Sequence, residues 1–226
     1  MEARTKEVLK KLESLKNEKF REGMARFGIK PKTKVFGTSM PVLRKIAKEI
    51  GKDHQLALQL FKSGIHEARL LASMIAEPKK LTEKQFSQWV KTFDSWDVVD
   101  NTCGNLFDKT EFAYKKVFDL AKKKEEFVKR TAFALMAYLA VHNKMMKDKD
   151  FIKFFPLIKK ESIDERNFVK KAVNWALRQI GKRNKKLNKE AIKLAKEILT
   201  INSKSAKWVA NNAISELKNH KYGTKK

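Results

Sequence analysis

Apolar residues recur at helical spacing along almost the whole chain. In the stretch 95–107, Val99, Cys103, Leu106 and Phe107 fall on one stripe when successive residues turn by about 100°. The chain has only eight glycines and four prolines, and short polar joints separate such stripes, so the pattern predicts about twelve helices. They are expected at residues 5–24, 41–51, 54–62, 66–77, 82–93, 95–107, 111–123, 126–142, 148–160, 165–183, 187–200 and 203–219.

The order of these helices predicts the fold class. After residue 53 they fall into pairs of about 30–40 residues, as in helical solenoids of the HEAT type. We therefore expect an all-α fold, a right-handed α-α superhelical solenoid of HEAT-like repeats. It would form a single domain over residues 1–219, followed by a basic flexible tail at 220–226. An ordinary globular helical bundle is the alternative, because periodicity alone does not separate the two.

The stretch 94–107 carries the most informative polar residues. Asp94 or Ser95 is expected to cap a helix by accepting hydrogen bonds from its first free backbone N–H groups. Trp96 and Asp100, four residues apart, would lie together at the margin of the buried stripe. A carboxylate and an indole would then share one rim. Such a pair suits cleavage of a glycosidic bond, because a fixed carboxylate stabilises the positive charge that develops on the sugar.

The stretch 165–183 predicts a helix with two distinct faces. An apolar stripe is expected in the core, and a separate face carries Lys171, Trp175, Arg178 and Lys182. A nucleic-acid surface needs cations for phosphate and a flat apolar ring for sugar or base, and this face offers both. A solvated face, with the indole folded over lysine stems, is the alternative.

A third helix is expected at the buried centre of the fold. No residue from Thr131 to Val141 is charged, so within this stretch of the helix 126–142 apolar residues point in all directions. Arg130 stands at its beginning, and we expect its guanidinium to contact phosphate. Pairing with a neighbouring carboxylate is the alternative. Phe27 and Arg44, nearer the N-terminus, complete the predicted DNA contacts.

The charge of the chain indicates a polyanionic partner. Its 226 residues include 52 lysines and arginines against 26 aspartates and glutamates, a formal net charge of +26. A lysine-biased genome or an acidic membrane surface are the alternatives. We expect no transmembrane helix, since no run of about 18 apolar residues occurs. The lone cysteine, Cys103, suits a reducing compartment, so we expect a cytoplasmic protein, nucleoid-associated if prokaryotic.

Several kinds of chemistry have no motif in the sequence. The four histidines are scattered without the spacing of metal ligands, so no metal site is expected. Neither a Walker-type glycine run nor G-x-G-x-x-G occurs, and no nucleophilic serine or cysteine arrangement is recognisable. We expect a monomer that needs no small-molecule cofactor.

Three segments resemble, in order and spacing, those of the AlkD family of DNA alkylation-repair glycosylases. They are Ser95–Asp100, Val128–Ala132 and Lys171–Arg178, and Met24–Phe27 is similar to the family's N-terminal segment. The resemblance implies a HEAT-like solenoid whose concave face grips duplex DNA. It also implies hydrolysis of the N-glycosyl bond of cationic alkylated purines, such as 3-methyladenine and 7-methylguanine, without a metal or organic cofactor. In that family the damaged base need not enter a pocket.

The same resemblance implies roles for individual residues. Asp100 would be the catalytic carboxylate, which stabilises the sugar cation and positions water. Trp96 and Trp175 would pack against the deoxyribose of the lesion, and Arg130 would hold the DNA backbone. The chain departs from an active family member at Phe27, where that member has tyrosine, and at Ser95, where it has a second tryptophan.

Two other functions are compatible with the sequence. Relatives of these glycosylases bind branched or otherwise structured DNA with little glycosylase activity, and a non-catalytic binder of that kind is the first alternative. A HEAT-like scaffold for an acidic protein is the second. Steep weakening of binding by salt would favour DNA over an acidic protein, because phosphate contacts release counterions.

Overall fold

The computed structural model describes residues 2–220, and 14 α-helices lie within them. Apart from one isolated bridge between Lys34 and Ile65, these residues form no β-structure. The all-α prediction is therefore confirmed. The chain divides into two compact units, Met1–Thr110 and Glu111–Lys226. The single domain over 1–219 stays a prediction, and the predicted tail lies, except for His220, outside the described residues.

The first unit contains seven α-helices and three short 3-10 turns. Side chains cap several of them: Asn17 accepts a hydrogen bond from the backbone of Phe20, and Asp53 from that of Leu56. The helices are α1 (Ala3–Ser14), α2 (Glu18–Met24), α3 (Met40–Ile50), α4 (His54–Lys62), α5 (His66–Ile75), α6 (Glu83–Lys91) and α7 (Trp96–Asn105).

Aromatic rings fill the core of the first unit. Trp89 stacks on Phe61 with 3.8 Å between ring centroids, and Phe86 and Phe107 pack at 4.0 Å. Every member of the stripe predicted for α7 and its end is buried, namely Val99, Cys103, Leu106 and Phe107. The helical period was thus a reliable guide to the buried face.

The second unit is built around one apolar helix. Its seven helices are α8 (Ala113–Leu120), α9 (Glu126–His142), α10 (Asp148–Ile152), α11 (Phe155–Glu161), α12 (Asn167–Gly181), α13 (Lys185–Leu199) and α14 (Lys204–Lys218). All residues from Arg130 to Ala137 on α9 are buried, and α9 packs most extensively against α12. The predicted buried position of this helix is confirmed.

Two predicted helices are wrong because each is divided. The segment 5–24 breaks around Asn17, whose backbone N–H donates to the carbonyl of Phe36 at 2.9 Å while its side chain caps α2. The segment 148–160 breaks before Pro156, which has no N–H to continue the helix and would crowd the carbonyl four residues earlier. Long-range bonding explains the first break and local chemistry the second.

Candidate nucleic-acid interface

The first turn of α7 is fixed by buried polar contacts rather than by a side-chain cap. Ser95 occupies the N-cap position but makes no capping bond, so the predicted cap is wrong. Asp94 instead accepts from the Arg69 guanidinium at 2.7 Å and from the backbone N–H of Lys32 at 2.8 Å. Arg69 also donates to the carbonyl of Thr92 at 2.7 Å. These bonds tie the segment before α7 to α5 and to the loop that follows α2.

A second network lies one turn further along. The Asp97 carboxylate accepts hydrogen bonds from His66 Nε2 at 2.8 Å and from the Ser95 hydroxyl, and both partners are buried. Burial raises the pKa of Asp97, but these bonds and one from the backbone N–H of Val98 outweigh it and hold that pKa below its ordinary value. Asp97 is therefore a buried carboxylate that joins α7 to α5.

Trp96 lies between these two networks, at the start of α7. Its indole N–H donates to the backbone carbonyl of Phe27 at 3.0 Å, and the Phe27 side chain is 73% exposed. The structure thus brings together two of the predicted site residues that are 69 positions apart in the chain. Asp100 follows Trp96 by four residues on the same helix and is partly exposed, unlike Asp97.

The loop between α2 and α3 packs against the same helix, α5. Glu67 is buried, and its carboxylate accepts the backbone N–H groups of Phe36 at 3.0 Å and Gly37 at 2.6 Å. Gly37 has φ +82°, and a Cβ there would lie 2.2 Å from the carbonyl oxygen of Asn17. This position therefore requires glycine, and the loop is held closely against α2 and α5.

A cleft of about 490 Å³ opens in the first unit. Helices α2, α5 and α7 contribute to its lining, and Trp96 and Phe27 belong to it. Sequence reasoning missed its other aromatic, Phe20, which is 45% exposed, and its buried members His66 and Asp97. The exposed Phe20 carried a detectable signal, since it lies between Lys19 and Arg21. The long-range pair of His66 and Asp97 carried none. The predicted contact Arg44 is exposed on α3.

The second unit carries its own aromatic cluster. Trp175 on α12 is partly exposed and meets the Tyr138 ring edge-on, with 5.1 Å between centroids. Tyr138 in turn packs on His142 at 5.4 Å, one helical turn later on α9. Sequence reasoning placed Trp175 correctly at the margin of the apolar stripe but missed its two partners. Tyr138 is the only polar aromatic in the uncharged part of α9, and this was the available signal.

The predicted cations of the second unit have unequal surroundings. Lys171 is exposed on α12, whereas Arg178 and Lys182 both form ion pairs with Glu216 of α14. Burial raises the pKa of Glu216, but its bonds to these two cations lower it further than burial raises it.

Arg130 is only 6% exposed, and its guanidinium donates to the carbonyl of Phe168 at 2.6 Å. The two alternatives for this residue, a phosphate or a carboxylate as its partner, both remain predictions.

Comparison with known proteins identifies the family. The model of a family described as DNA alkylation repair enzymes matches residues 8–217. The chain belongs to the DNA alkylation repair enzyme family. No curated protein sequence matches it.

A solved structure supports the fold of this family member. It is described as a new family of proteins related to the HEAT-like repeat DNA glycosylases with affinity for branched DNA structures. The two chains are 21% identical, with a TM-score of 0.77 over 95% of this chain and 94% of the other, which confirms the predicted HEAT-like repeats.

Two weaker similarities are an engineered protein and a designed armadillo repeat protein. Each is 14% identical to this chain, and they cover 78% and 77% of it and 90% and 91% of their own chains. Their TM-scores of 0.41 and 0.38 are too low to support an argument.

Among residues 2–220, no three His, Cys, Asp or Glu side chains are grouped so that they could hold a metal ion. In the same part of the chain, every helix is too short or too polar to span a bilayer.

Proposed function

We propose that this family member is a DNA glycosylase of base excision repair. Its substrates would be cationic alkylated purines in duplex DNA, with 3-methyladenine and 7-methylguanine as examples. The observation that carries the proposal is the position of Asp100, a partly exposed acidic residue one helical turn after the anchored indole of Trp96 on α7. Family membership supports a role in alkylation repair.

The proposed reaction needs little beyond electrostatic help to the sugar. The bond from C1′ to the purine nitrogen breaks, and its electron pair neutralises the cationic base, which leaves. Positive charge then develops on the deoxyribose, where the carboxylate of Asp100 stabilises it. Water adds its oxygen to C1′ and releases a proton, and the same carboxylate would orient that water. Trp96 would offer a flat apolar face to the sugar, and Trp175 of the second unit would offer a flat apolar face to DNA.

DNA would be held largely through its phosphates. Lys171 and Arg44 are exposed and available for such contacts, and Phe27 offers an exposed ring. Arg178 and Lys182 would exchange the carboxylate of their shared partner for phosphate oxygens. Arg130 is buried, so it would contact a phosphate only where the DNA backbone comes very close, or would otherwise fix the protein backbone around it. The formal net charge of +26 agrees with a salt-dependent attraction to DNA.

Release of bases from methylated DNA by Asp100→Asn tests the proposal. Because the charge that stabilises the sugar is removed, release should fall about 100- to 1,000-fold. Binding to duplex should be kept or tightened, since a negative charge facing phosphates is lost. Asp119→Asn, which removes an exposed carboxylate from α8, is the control and should release bases at the wild-type rate.

Two results would count against the proposal in different ways. A folded wild-type chain that releases no base above background would reject catalysis altogether. Full activity of Asp100→Asn would show instead that the acid has been assigned to the wrong residue.

A non-catalytic binder of branched DNA is the second candidate function. It is supported by the solved structure at a TM-score of 0.77, whose family is described as having affinity for branched DNA structures. For such a protein the basic surface matters and Asp100 is structural. Tighter binding to a four-way junction than to a duplex of equal length, with no base release, would favour this function.

A further inference from the structure

The positive charge of the chain is concentrated in its second unit. Residues 111–226 contain 30 lysines and arginines against 12 aspartates and glutamates, whereas residues 1–110 contain 22 against 14. The candidate DNA contacts on α9 and α12 are only four of these cations. Most of the positive charge of the second unit therefore lies outside the surface assigned so far.

Helix α13 presents four lysines on one exposed face. They are separated by four, four and three positions, so they fall within about 80° of one another around the helix. Among residues 2–220 no acid forms an ion pair with them, and Glu197 of the same helix pairs instead with Lys159 of α11 at 2.8 Å. These four exposed residues, here called the lysine stripe, are Lys185, Lys189, Lys193 and Lys196.

The lysine stripe points away from the core of the second unit. It lies about 180° around α13 from the buried face that packs on α11, α12 and α14. On α12, Gly181 is the residue that approaches α13, since a Cβ there would lie 3.0 Å from that of Ala191. Trp175 precedes Gly181 by six residues, about 120° around α12, and contacts Tyr138 of α9 instead. The lysine stripe and Trp175 thus belong to different surfaces of the unit.

The lysine stripe is unfavourable for the helix that carries it. The first turn of α13 holds Lys185 and Lys186 and no acid, although the helix dipole disfavours cations at this end. Lysines three and four residues apart also repel one another. Local rules of this kind are broken mainly where a surface serves a ligand. A polyanion bound along the stripe would relieve both effects.

The chemistry of the lysine stripe selects duplex DNA among polyanions. Lysine is a point charge that suits phosphate, and α13 has no aromatic residue on which an unpaired base could stack. None of the large exposed apolar side chains lies on α13, so nothing there would enter a bilayer. From Lys185 to Lys196 the helix rises about 16 Å, the axial length of about five base pairs.

We propose that the lysine stripe binds the phosphate backbone of a second duplex segment, while the surface that includes Trp175 holds the first. The inference rests on the proposed function in one respect, that the chain binds DNA. It does not depend on base release. One protein molecule then bridges two duplexes, such as two arms of a branched DNA.

Replacing all four lysines of the stripe by glutamine removes the charge and keeps a side chain of similar helix propensity. Because like-charge repulsion is relieved, this stripe variant should melt at or above the wild-type temperature. Melting several degrees lower would show that the lysines are structural and would overturn the inference. The control changes four exposed lysines of the first unit to glutamine, with the same loss of net charge. They are Lys62, Lys79, Lys84 and Lys91.

Capture of a second duplex is the decisive measurement. The full-length protein is bound to an immobilised short duplex, unbound protein is washed away, and a labelled duplex is added. The stripe variant should capture the labelled duplex at least about tenfold more weakly than the wild type, equivalent to about 1.4 kcal/mol. The control variant should match the wild type. For the wild type, the logarithm of the capture constant should fall with that of salt concentration with a slope up to about −3.6, as four phosphate contacts require.

Three results of this assay would overturn the inference. The first is capture by the stripe variant as tight as by the wild type, and the second is equal weakening in the stripe and control variants. The third is no capture by a wild type that holds the first duplex. Stripe-dependent binding of the wild type to phosphatidylglycerol vesicles, without capture of a duplex, would assign the surface to a membrane instead.

Base release from methylated DNA separates this inference from the glycosylase proposal. A wild-type chain that bridges two duplexes through the stripe yet releases no base would keep the second surface and refute the glycosylase. Release of bases by a wild-type chain that holds only one duplex would keep the glycosylase and refute the second surface. Failure to bind the first duplex would refute both.

Discussion

Replacing Asp97 by asparagine should destabilise the protein at neutral pH and have little effect in acid. In the native state the carboxylate accepts bonds from His66, Ser95 and the backbone of Val98. Asparagine can refit this pattern, since the Ser95 hydroxyl and the imidazole can both exchange donor and acceptor roles. The main loss in the variant is the extra strength that hydrogen bonds to a charged group have over hydrogen bonds to a neutral one.

The expected loss of stability follows from the number of hydrogen bonds that Asp97 accepts and from the burial of its carboxylate. Bonds to a charged group contribute about 1.5–3 kcal/mol each, against about 1 kcal/mol for neutral ones. Part of the difference over three bonds is offset, because asparagine costs less to bury than a carboxylate. We expect a net loss of about 2 kcal/mol at pH 7, or a melting temperature lower by about 4–8 °C for a chain of this size.

The pH dependence provides the sharper measurement. The pKa of Asp97 is lower in the folded than in the unfolded chain, so its stabilisation is fully present above the unfolded value near 4. That contribution is lost as the pH falls through the folded value. Thermal or urea unfolding of wild type and Asp97→Asn between pH 7 and pH 3 should therefore converge in acid. Glu49→Gln, which removes an exposed carboxylate, is the control and should have little effect.

A difference between wild type and Asp97→Asn that stays constant over this pH range would refute the reasoning. So would a wild type that gains stability relative to the variant as the pH falls. Either result would mean that the carboxylate form of Asp97 is not what stabilises the fold.

Two further predictions concern the α2–α3 loop and the second unit. Gly37→Ala should lower the free energy of unfolding by at least about 2 kcal/mol, because φ is +82° and the new Cβ would clash with a backbone oxygen; unchanged urea unfolding would contradict this. Glu216→Gln should release Arg178 and Lys182 for phosphate and steepen the salt dependence of duplex binding by about one to two phosphate contacts. An unchanged salt slope would show that neither cation contacts DNA.

The sequence predicted the buried faces well because burial follows the helical period. Val99 and Phe107 are in the core as expected, and so are the residues from Arg130 to Ala137 of α9. The same reasoning failed around Asn17, where no glycine or proline marks the break between α1 and α2. That break depends on a backbone bond to Phe36, 19 residues away. Local patterns do not contain such information.

The candidate site was predictable only in part, for the same reason. Trp96 and Asp100 share one side of a helix, which the spacing of four residues dictates. By contrast, Asp97 and His66 are separated by 31 positions, and Arg178 and Glu216 by 38. Each of these pairs forms between helices that only the tertiary fold brings together. Sequence reasoning therefore finds the helix that carries a site more readily than the residues that support it.

Asp94, Asp97 and Asp100 lie at or near the start of α7. The first two make structural contacts, whereas Asp100 is the acid that we propose for the chemistry. Asp94 and Asp97 bind Arg69 and His66 inside the first unit, so they fix the direction of the first turn. Trp96 lies between them in the chain. Its indole N–H donates to a carbonyl of the loop after α2, and this bond further restricts the orientation of the ring. The orientation of the Trp96 ring is fixed when the protein folds, so DNA binding would not have to order this side chain. Asp100, one turn later and partly exposed, belongs to a helix whose start is already rigid, which would suit the catalytic role proposed for it.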